Sequence, residues 1–550
     1  MRGKLNRLVP LLIAGVLWWG VGSAWSAPIL YKQTMTKILD ETQFQGWPPE
    51  YGTYTRYFNM LTNSPDGSRI AFWVDCPVPG AAERRTYVAN FDGSGLIDLT
   101  ANFLPAVDPG TATYYKLDDT GSRLFFQAPN GGDATNIYYF DLVLATPVCS
   151  LAVRPEDKET FAIRSYDARK PFSLRTIGGE LTLYFRHRWG WWEPESRYIQ
   201  GIYSAPLGGY ATQVMDISQV PGDQNMNLLG FLGSAANANR VLFSWKDVSI
   251  QPGGAVWQTA GPTRVPDEMH DFIWDQTYLY NHIISADGSK ALYCYTDSWF
   301  HYLSQVDLSS GIKTPIAQTD SIHGYYYPAM APSGNYAFFS SLSNNRTRVN
   351  LATGDQRDTL SSLFAESAGS GPYLISDITA DDRYYFIGSN WDIGRIHRVD
   401  MAPTDFSRAP NIAAINFTSN KLIHDGTSRT TVMATVSEGQ AAITRVQLKT
   451  LVDGLETPEW MRDGEPLAYD TWNLYDDGTH GDRVAGDGIY TNDTIRTNPG
   501  CNFYERFTLP KDVGVRIVVQ DADHNYVMAD TFLTVVKGIA PPWMPLLLLD

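Results

Sequence analysis

One pattern recurs along this chain and restricts its fold more than any other feature. A tight polar turn is followed at once by a short, unbroken apolar run. The clear copies are "SPDGSRIAFW" (Ser64 to Trp73), "DDTGSRLFFQ" (Asp118 to Gln127), "SADGSKALYC" (Ser285 to Cys294), "APSGNYAFFS" (Ala331 to Ser340) and "TADDRYYFIG" (Thr379 to Gly388). Two weaker copies, "TIGGELTLYF" from Thr176 and "AANANRVLFS" from Ala235, fill the gap between them. The seven starts lie 46 to 59 residues apart. Gly67, Gly121, Gly288 and Gly334 suit the left-handed backbone that such turns need. The apolar run has the length of a buried strand, not of a helix. Helical periodicity is nearly absent, and the period suits a four-stranded blade with its loops.

A second element recurs about 20 residues after a turn: "YYFDLVLATPV", "SQVDLSSGIKTPI", "TRVNLATGDQRDTL" and "HRVDMAPTDF". Each reads as a third strand ending in Asp or Asn, a turn, and an outer strand. With the "SPDG" turn, these residues resemble the TolB-type, WD-like propeller family over residues 45 to 409. The resemblance implies a seven-bladed β-propeller and speaks for fold only. The segment ahead of the first turn includes "YGTYTRYFNM", and one use for that segment is an N-terminal strand that completes the last blade, since a ring needs a closure.

From about Asn411 the texture changes. "KLIHDGTSRTTVMATVSE" and "AITRVQLKTLVDG" read as alternating strands, and "VGVRIVVQDADHNYVMADTFLTVV" as a hairpin around a polar turn. An immunoglobulin-like β-sandwich over 410–537 is expected, after a propeller over 27–409. The whole chain is therefore expected to be all-β. Between the sandwich halves lies "YDDGTHGDRVAGDGIYTND", which resembles the Asp-Gly-rich signature of Ig-like modules on bacterial secreted and surface proteins. Asp477, Asp482 and Asp487 recur every five residues with glycines between them. Oxygen ligands on a glycine-rich loop are what calcium needs, although the spacing is not that of an EF-hand. The competing reading is a solvated turn whose aspartates bond their own backbone.

The first residues, "MRGKLNRLVPLLIAGVLWWGVGSAWSAP", have the basic start, short apolar run and small residues of a secretory signal over 1–26. Cleavage after Ala24 or Ser26 fits the small-residue rule. The expected site of the mature protein is the bacterial periplasm or exterior, with no membrane span after cleavage. The apolar tail at 538–550 is too short to cross a bilayer. The formal charge of −16 becomes about −19 once Arg2, Lys4 and Arg7 are lost. Such acidity disfavours nucleic acid as a partner. Cys76, Cys149, Cys294 and Cys501 are too few and too scattered for a disulfide framework.

No Gly-x-Ser-x-Gly elbow occurs, and the residues after the ring are too few for a serine hydrolase domain. The chain is expected to bind rather than to catalyse. Trp189, Trp191 and Trp192 in "RHRWGWWEPESRY" read as an aromatic loop able to stack on sugar rings or grip a peptide. Their bland alternative is packing over the propeller. The blades also resemble the oligogalacturonate lyases, and that resemblance implies a metal near the axis held by histidines and a glutamine. His282, His323 and Gln224 are the candidates here, but no run follows that family's pattern closely. The expected function is an exported binding or assembly protein with a protein or glycan ligand on one propeller face. A metal-dependent polysaccharide lyase, or another carbohydrate-active enzyme using the central pocket, is the alternative.

Overall fold

The computed structural model describes residues 25–538, apart from 45–56, 155–171, 217–225, 265–283, 359–372, 457–464 and shorter stretches between strands. Among the described residues its regular structure is β, except for short 3-10 turns such as Glu41–Gln43 and a helical position at Tyr504. Among the described residues no helix is long and apolar enough to cross a membrane. The chain divides into two compact units, Thr36–Met401 and Met1–Met35 with Ala402–Asp550.

The first unit contains seven antiparallel sheets among its described residues. Blade I is Tyr57–Asn63, Arg69–Val78, Ala81–Asn90 and Ile97–Asp98; blade II is Thr113–Leu117, Arg123–Pro129, Thr135–Asp141 and Val148–Leu151. Blade III is Phe172–Ile177, Glu180–Trp192, Arg197–Pro206 and Thr212–Asp216; blade IV is Met226–Ser234, Arg240–Asp247, Pro252–Gln258 and Gly261–Arg264. Blade V has Lys290–Thr296, Phe300–Asp307 and Lys313–Asp320, with Ile284 bridging Ala291 ahead of them. Blade VI is Tyr326–Met330, Tyr336–Ser340, Arg346–Asn350 and Gln356–Asp358. Blade VII is Tyr373–Ile375, Tyr384–Ser389 and Arg395–Asp400, and its outer neighbour is the N-terminal strand Tyr31–Asp40. The closing strand thus comes from the segment ahead of the first turn, as expected, while "YFNM" opens the first strand of blade I.

Each repeated turn sits between the first and second strand of its blade. Ser64 Oγ donates to Asp66 at 2.6 Å, Asp66 accepts from Ser68 N, and Gly67 has φ 75°. Ser285, Asp287 and Ser289 repeat that geometry. In blade VII, Asp382 takes the left-handed position at φ 59° without a glycine.

Adjacent turns bond one another around the ring. Asp66 N donates to Asp119 O, Ala286 N to Pro332 O, and Ala380 N to Pro65 O. The last of these joins blade VII to blade I. Thr176 Oγ1 reaches Asp119, Arg240 Nη1 reaches Gly288 O, and Ser333 N reaches Asp382. Strands of blade III lie against Met226–Ser234 of blade IV. Every blade therefore meets the next, and the ring is closed.

This explains why the apolar runs do not alternate. Blades pack face to face, so both sides of a second strand are buried. Ile70, Ala71, Phe72 and Val74 are fully buried, as are Leu124, Phe125 and Phe126. Burying a phenylalanine of this kind contributes about 2–3 kcal/mol. Phe126 faces Trp73 and Val88 of blade I, while Phe125 faces Phe172 and Leu183 of blade III.

The second unit is two sheets on one core. Trp25–Ala27, Asn411–Phe417, Arg429–Ser437, Ile489–Thr497 and Leu467–Ala468 form one sheet. Residues 31–35, Tyr526–Val536, Lys511–Asp521, Ile443–Val452 and Leu455–Glu456 form the other. Ile415, Phe417, Val432 and Ala434 meet Leu448, Val515, Ile517 and Ala529 between them. The expected hairpin is Lys511–Asp521 with Tyr526–Val536, turning on "ADHN". A fully buried ion pair, Arg516 Nε to Asp530 Oδ1 at 2.7 Å, crosses it.

The boundaries fall elsewhere than 27–409 and 410–537. The division comes after blade VII, between Met401 and Ala402, and residues 25–35 go with the sandwich. Two contacts account for this. Ala27, Ile29 and Phe406 pack on the sandwich core, and the Ala409 backbone lies so close to Gly439 that a Cβ there would meet it at 2.5 Å.

Candidate functional site

Blade III differs from its neighbours where the tryptophans lie. Its second strand runs for 13 residues, Glu180–Trp192, against 7 in Arg123–Pro129 and 8 in Arg240–Asp247. The segment expected as a loop is in fact strand. Trp191 pairs with Tyr198 and Trp192 with Arg197, after a shift of register between Arg188 and Trp191 that takes in Trp189. The extra length prolongs the hairpin at the end of the blade away from its turn. Bulges of this kind re-aim side chains and are over-represented at sheet edges and next to active sites.

His282, His323 and Gln224 lie outside the described residues. In the sequence they precede Ile284, Tyr326–Met330 and Met226–Ser234 respectively.

The described part of the ring's first strands places a polar group across blades. Lys116 Nζ of blade II lies 3.0 Å from Asp377 Oδ2, which follows the first strand of blade VII. Tyr114, two residues before Lys116, has φ 49° within a bulged strand and packs edge-on against Phe172. Burial, and then the charge of Asp377, push its hydroxyl well above the ordinary tyrosine range, so it stays protonated. A bulky residue at positive φ is an outlier that its surroundings must hold in place. Nothing in the sequence pattern signalled this group.

In the sandwich the acidic loop does gather carboxylates, but not the expected three. Oxygens of Asp476, Asp482 and Asp487 all lie within 4.8 Å of one another. Asp477 is not among them. Its Oδ1 accepts from Thr479 N and Thr479 Oγ1, the hydroxyl bond being the main reason its carboxyl sits below the usual range. Asp476 instead accepts from Gly486 N at 2.7 Å, Asp487 N and Gly488 N. Asp482 accepts from Gly478 N and Val484 N, and Asp487 from Ile489 N. Gly478, Gly481, Gly486 and Gly488 all have positive φ, which lets the loop fold back on itself. A carboxylate has about four lone-pair sites, so Asp482 and Asp487 keep acceptor capacity after these bonds. Three converging carboxylates form an oxygen donor set of the kind a hard divalent cation takes.

Cys149 and Cys501 are buried, and burial pushes the Cys149 thiol up to about 11. That shift keeps the Cys149 thiol protonated at neutral pH.

No known protein family and no curated protein matches the sequence. Solved structures do. The chain is similar to an oligogalacturonate lyase in complex with manganese at 11% identity, over 70% of this chain and 96% of that one, with a TM-score of 0.41. It is similar to an oligogalacturonate lyase from Vibrio parahaemolyticus at 10% identity, over 69% and 99%, with a TM-score of 0.40. It is also similar to TolB from Acinetobacter baumannii at 12% identity, over 56% and 63%, with a TM-score of 0.31. The chain is a propeller protein. The families it is similar to are the two that its blade turns resemble, and the likeness is one of fold.

Proposed function

We propose that this is an exported binding or assembly protein whose propeller takes a protein or glycan ligand on the face opposite its repeated turns. The observation that carries the reading is the prolonged blade III hairpin, Glu180–Trp192 with Arg197–Pro206, which brings three tryptophans to that end of the blade. In an up-and-down meander the hairpins between second and third strands leave at the same face as the connections between blades. Trp189, Trp191 and Trp192 then belong to that face. The turn face, by contrast, spends its polar groups on itself through the turn-to-turn bonds.

The sandwich is read as a spacer or attachment module, with calcium on Asp476, Asp482 and Asp487 in place of the expected set. Export is supported by the N-terminal pattern. Of the two cleavage points, the one after Ala24 leaves the strand Trp25–Ala27 whole on Asn411–Phe417.

The test is binding of the purified chain to a panel of immobilised glycans and envelope proteins, with Trp189→Ala and Trp191→Ala combined. Binding lost in that variant, at unchanged thermal stability, supports the reading. Equal binding by both proteins would place the ligand elsewhere. The alternative, a metal-dependent lyase built on His282, His323 and Gln224, has its own discriminating result. Unsaturated product from polygalacturonate with manganese, absent after His282→Ala, would replace binding by catalysis.

A further inference from the structure

The inter-blade hydrogen bonds described above join neighbours: blade I to II, II to III, IV to V, V to VI, VI to VII and VII to I. Another, on the ring's inner strands, does not. Lys116 of blade II reaches past blade I to Asp377 of blade VII, residues 261 apart in sequence. The two side chains are 12% and 15% exposed, so the pair is shielded from most of the solvent that would weaken it.

Its position coincides with the weakest place a ring can have. Blade VII is assembled from both ends of the propeller segment, and its outer strand is the N-terminal one. The ring is therefore closed there by non-covalent contacts alone. Those contacts are substantial: Phe91 of blade I lies against Tyr384 and Phe386, and Gly93 sits directly on the Ile38 backbone. All of them act between adjacent blades. The Lys116–Asp377 pair forms only when VII meets I and I meets II at the same time.

We propose that Lys116 and Asp377 are a bolt across the ring axis, holding the seam by making closure of blade VII and docking of blade I cooperative. The closing strand works from the rim, and the bolt works from the axis. When the seam opens, both charges lose their partner together, so partial opening gains nothing from leaving one interface intact.

The experiment is hydrogen exchange on the full chain for wild type, Lys116→Gln, Asp377→Asn and the reversed pair Lys116→Asp with Asp377→Lys. In either single variant, amides of residues 36–40, of Tyr384–Ser389 and of Tyr57–Asn63 should exchange about tenfold faster. Those of Glu180–Trp192 and Arg240–Asp247 should not change. The reversed pair should recover protection at the seam. Should a single variant fail to fold, Lys116→Met with Asp377→Leu leaves no charge unpaired and must show the same local acceleration. Uniform acceleration around the ring, or no acceleration at the seam, would overturn the bolt.

Discussion

Two sets of aspartates in this chain share a local sequence style and end in different states. In the blade turns, Asp66, Asp287 and Asp381 each follow a small residue or proline, precede a left-handed position, and accept from a nearby hydroxyl and amide. Each carboxylate serves its own turn and stands in its own blade. In the sandwich loop, Asp476, Asp482 and Asp487 also accept from local amides among left-handed glycines, yet their oxygens converge. The difference is one of chain path. A blade turn leads straight into a buried strand, which carries the next carboxylate a full repeat away. The loop from Tyr475 to Ile489 returns on itself, with Tyr475 and Thr491 bonded backbone to backbone in both directions. The same residue type is scaffold in one place and a gathered set of carboxylates in the other.

The comparison can be broken at its glycines. A Cβ on Gly93, in the turn before the outer strand of blade I, would lie 2.0 Å from Ile38 O. Left-handed strain and the backbone clash together should cost about 3–5 kcal/mol, read as a lower unfolding temperature for the propeller. A loss within about 1 kcal/mol would mean the closing strand yields easily.

Removing one turn carboxylate tests the scaffold role next. Asp287→Ala should cost about 1–2 kcal/mol at neutral pH. Burial works against ionisation of Asp287, but the bonds from Ser285 and Ser289, with Lys290 nearby, outweigh it and lower its pKa from 3.8. A lowered carboxylate stabilises above its unfolded pKa and loses that contribution as pH falls through the folded value. The deficit of the variant should therefore be full at pH 7 and shrink below about pH 4. A deficit that grows on acidification would contradict the assignment.

The smallest effect belongs to the loop. Gly486 has φ 78° with nothing near its missing Cβ. Gly486→Ala should cost only the conformational strain, about 1 kcal/mol, and leave the ring's unfolding unchanged. A loss as large as that of Gly93→Ala would show that this loop is packed like a blade turn.

The fold was legible because the blade carries its signature locally. The turn at Ser64 to Gly67 and the run from Ile70 to Val74 are adjacent in sequence, and burial on both faces leaves an unbroken apolar word. The site was less legible because its determinants are not local. The five-residue spacing singled out Asp477, but the turn at Gly478 commits Asp477 to Thr479, and Asp476 is captured by amides ten to twelve residues on. The tryptophans read as loop because the register shift before Trp191 hides the alternation of an ordinary hairpin. Lys116 and Asp377 meet only after seven blades have closed, and no spacing in the sequence connects them.

The division between scaffold and site rests most directly on one titration. Thermal unfolding of the full chain is followed with calcium and with chelator, for wild type, Asp476→Asn and Asp477→Asn. At calcium about a hundredfold above its dissociation constant, the sandwich of the wild type should gain about 2.7 kcal/mol. Asp477→Asn should keep that gain and Asp476→Asn should lose it. No gain in the wild type, or a gain that Asp476→Asn retains, would show that the converging carboxylates are one more set of solvated turns.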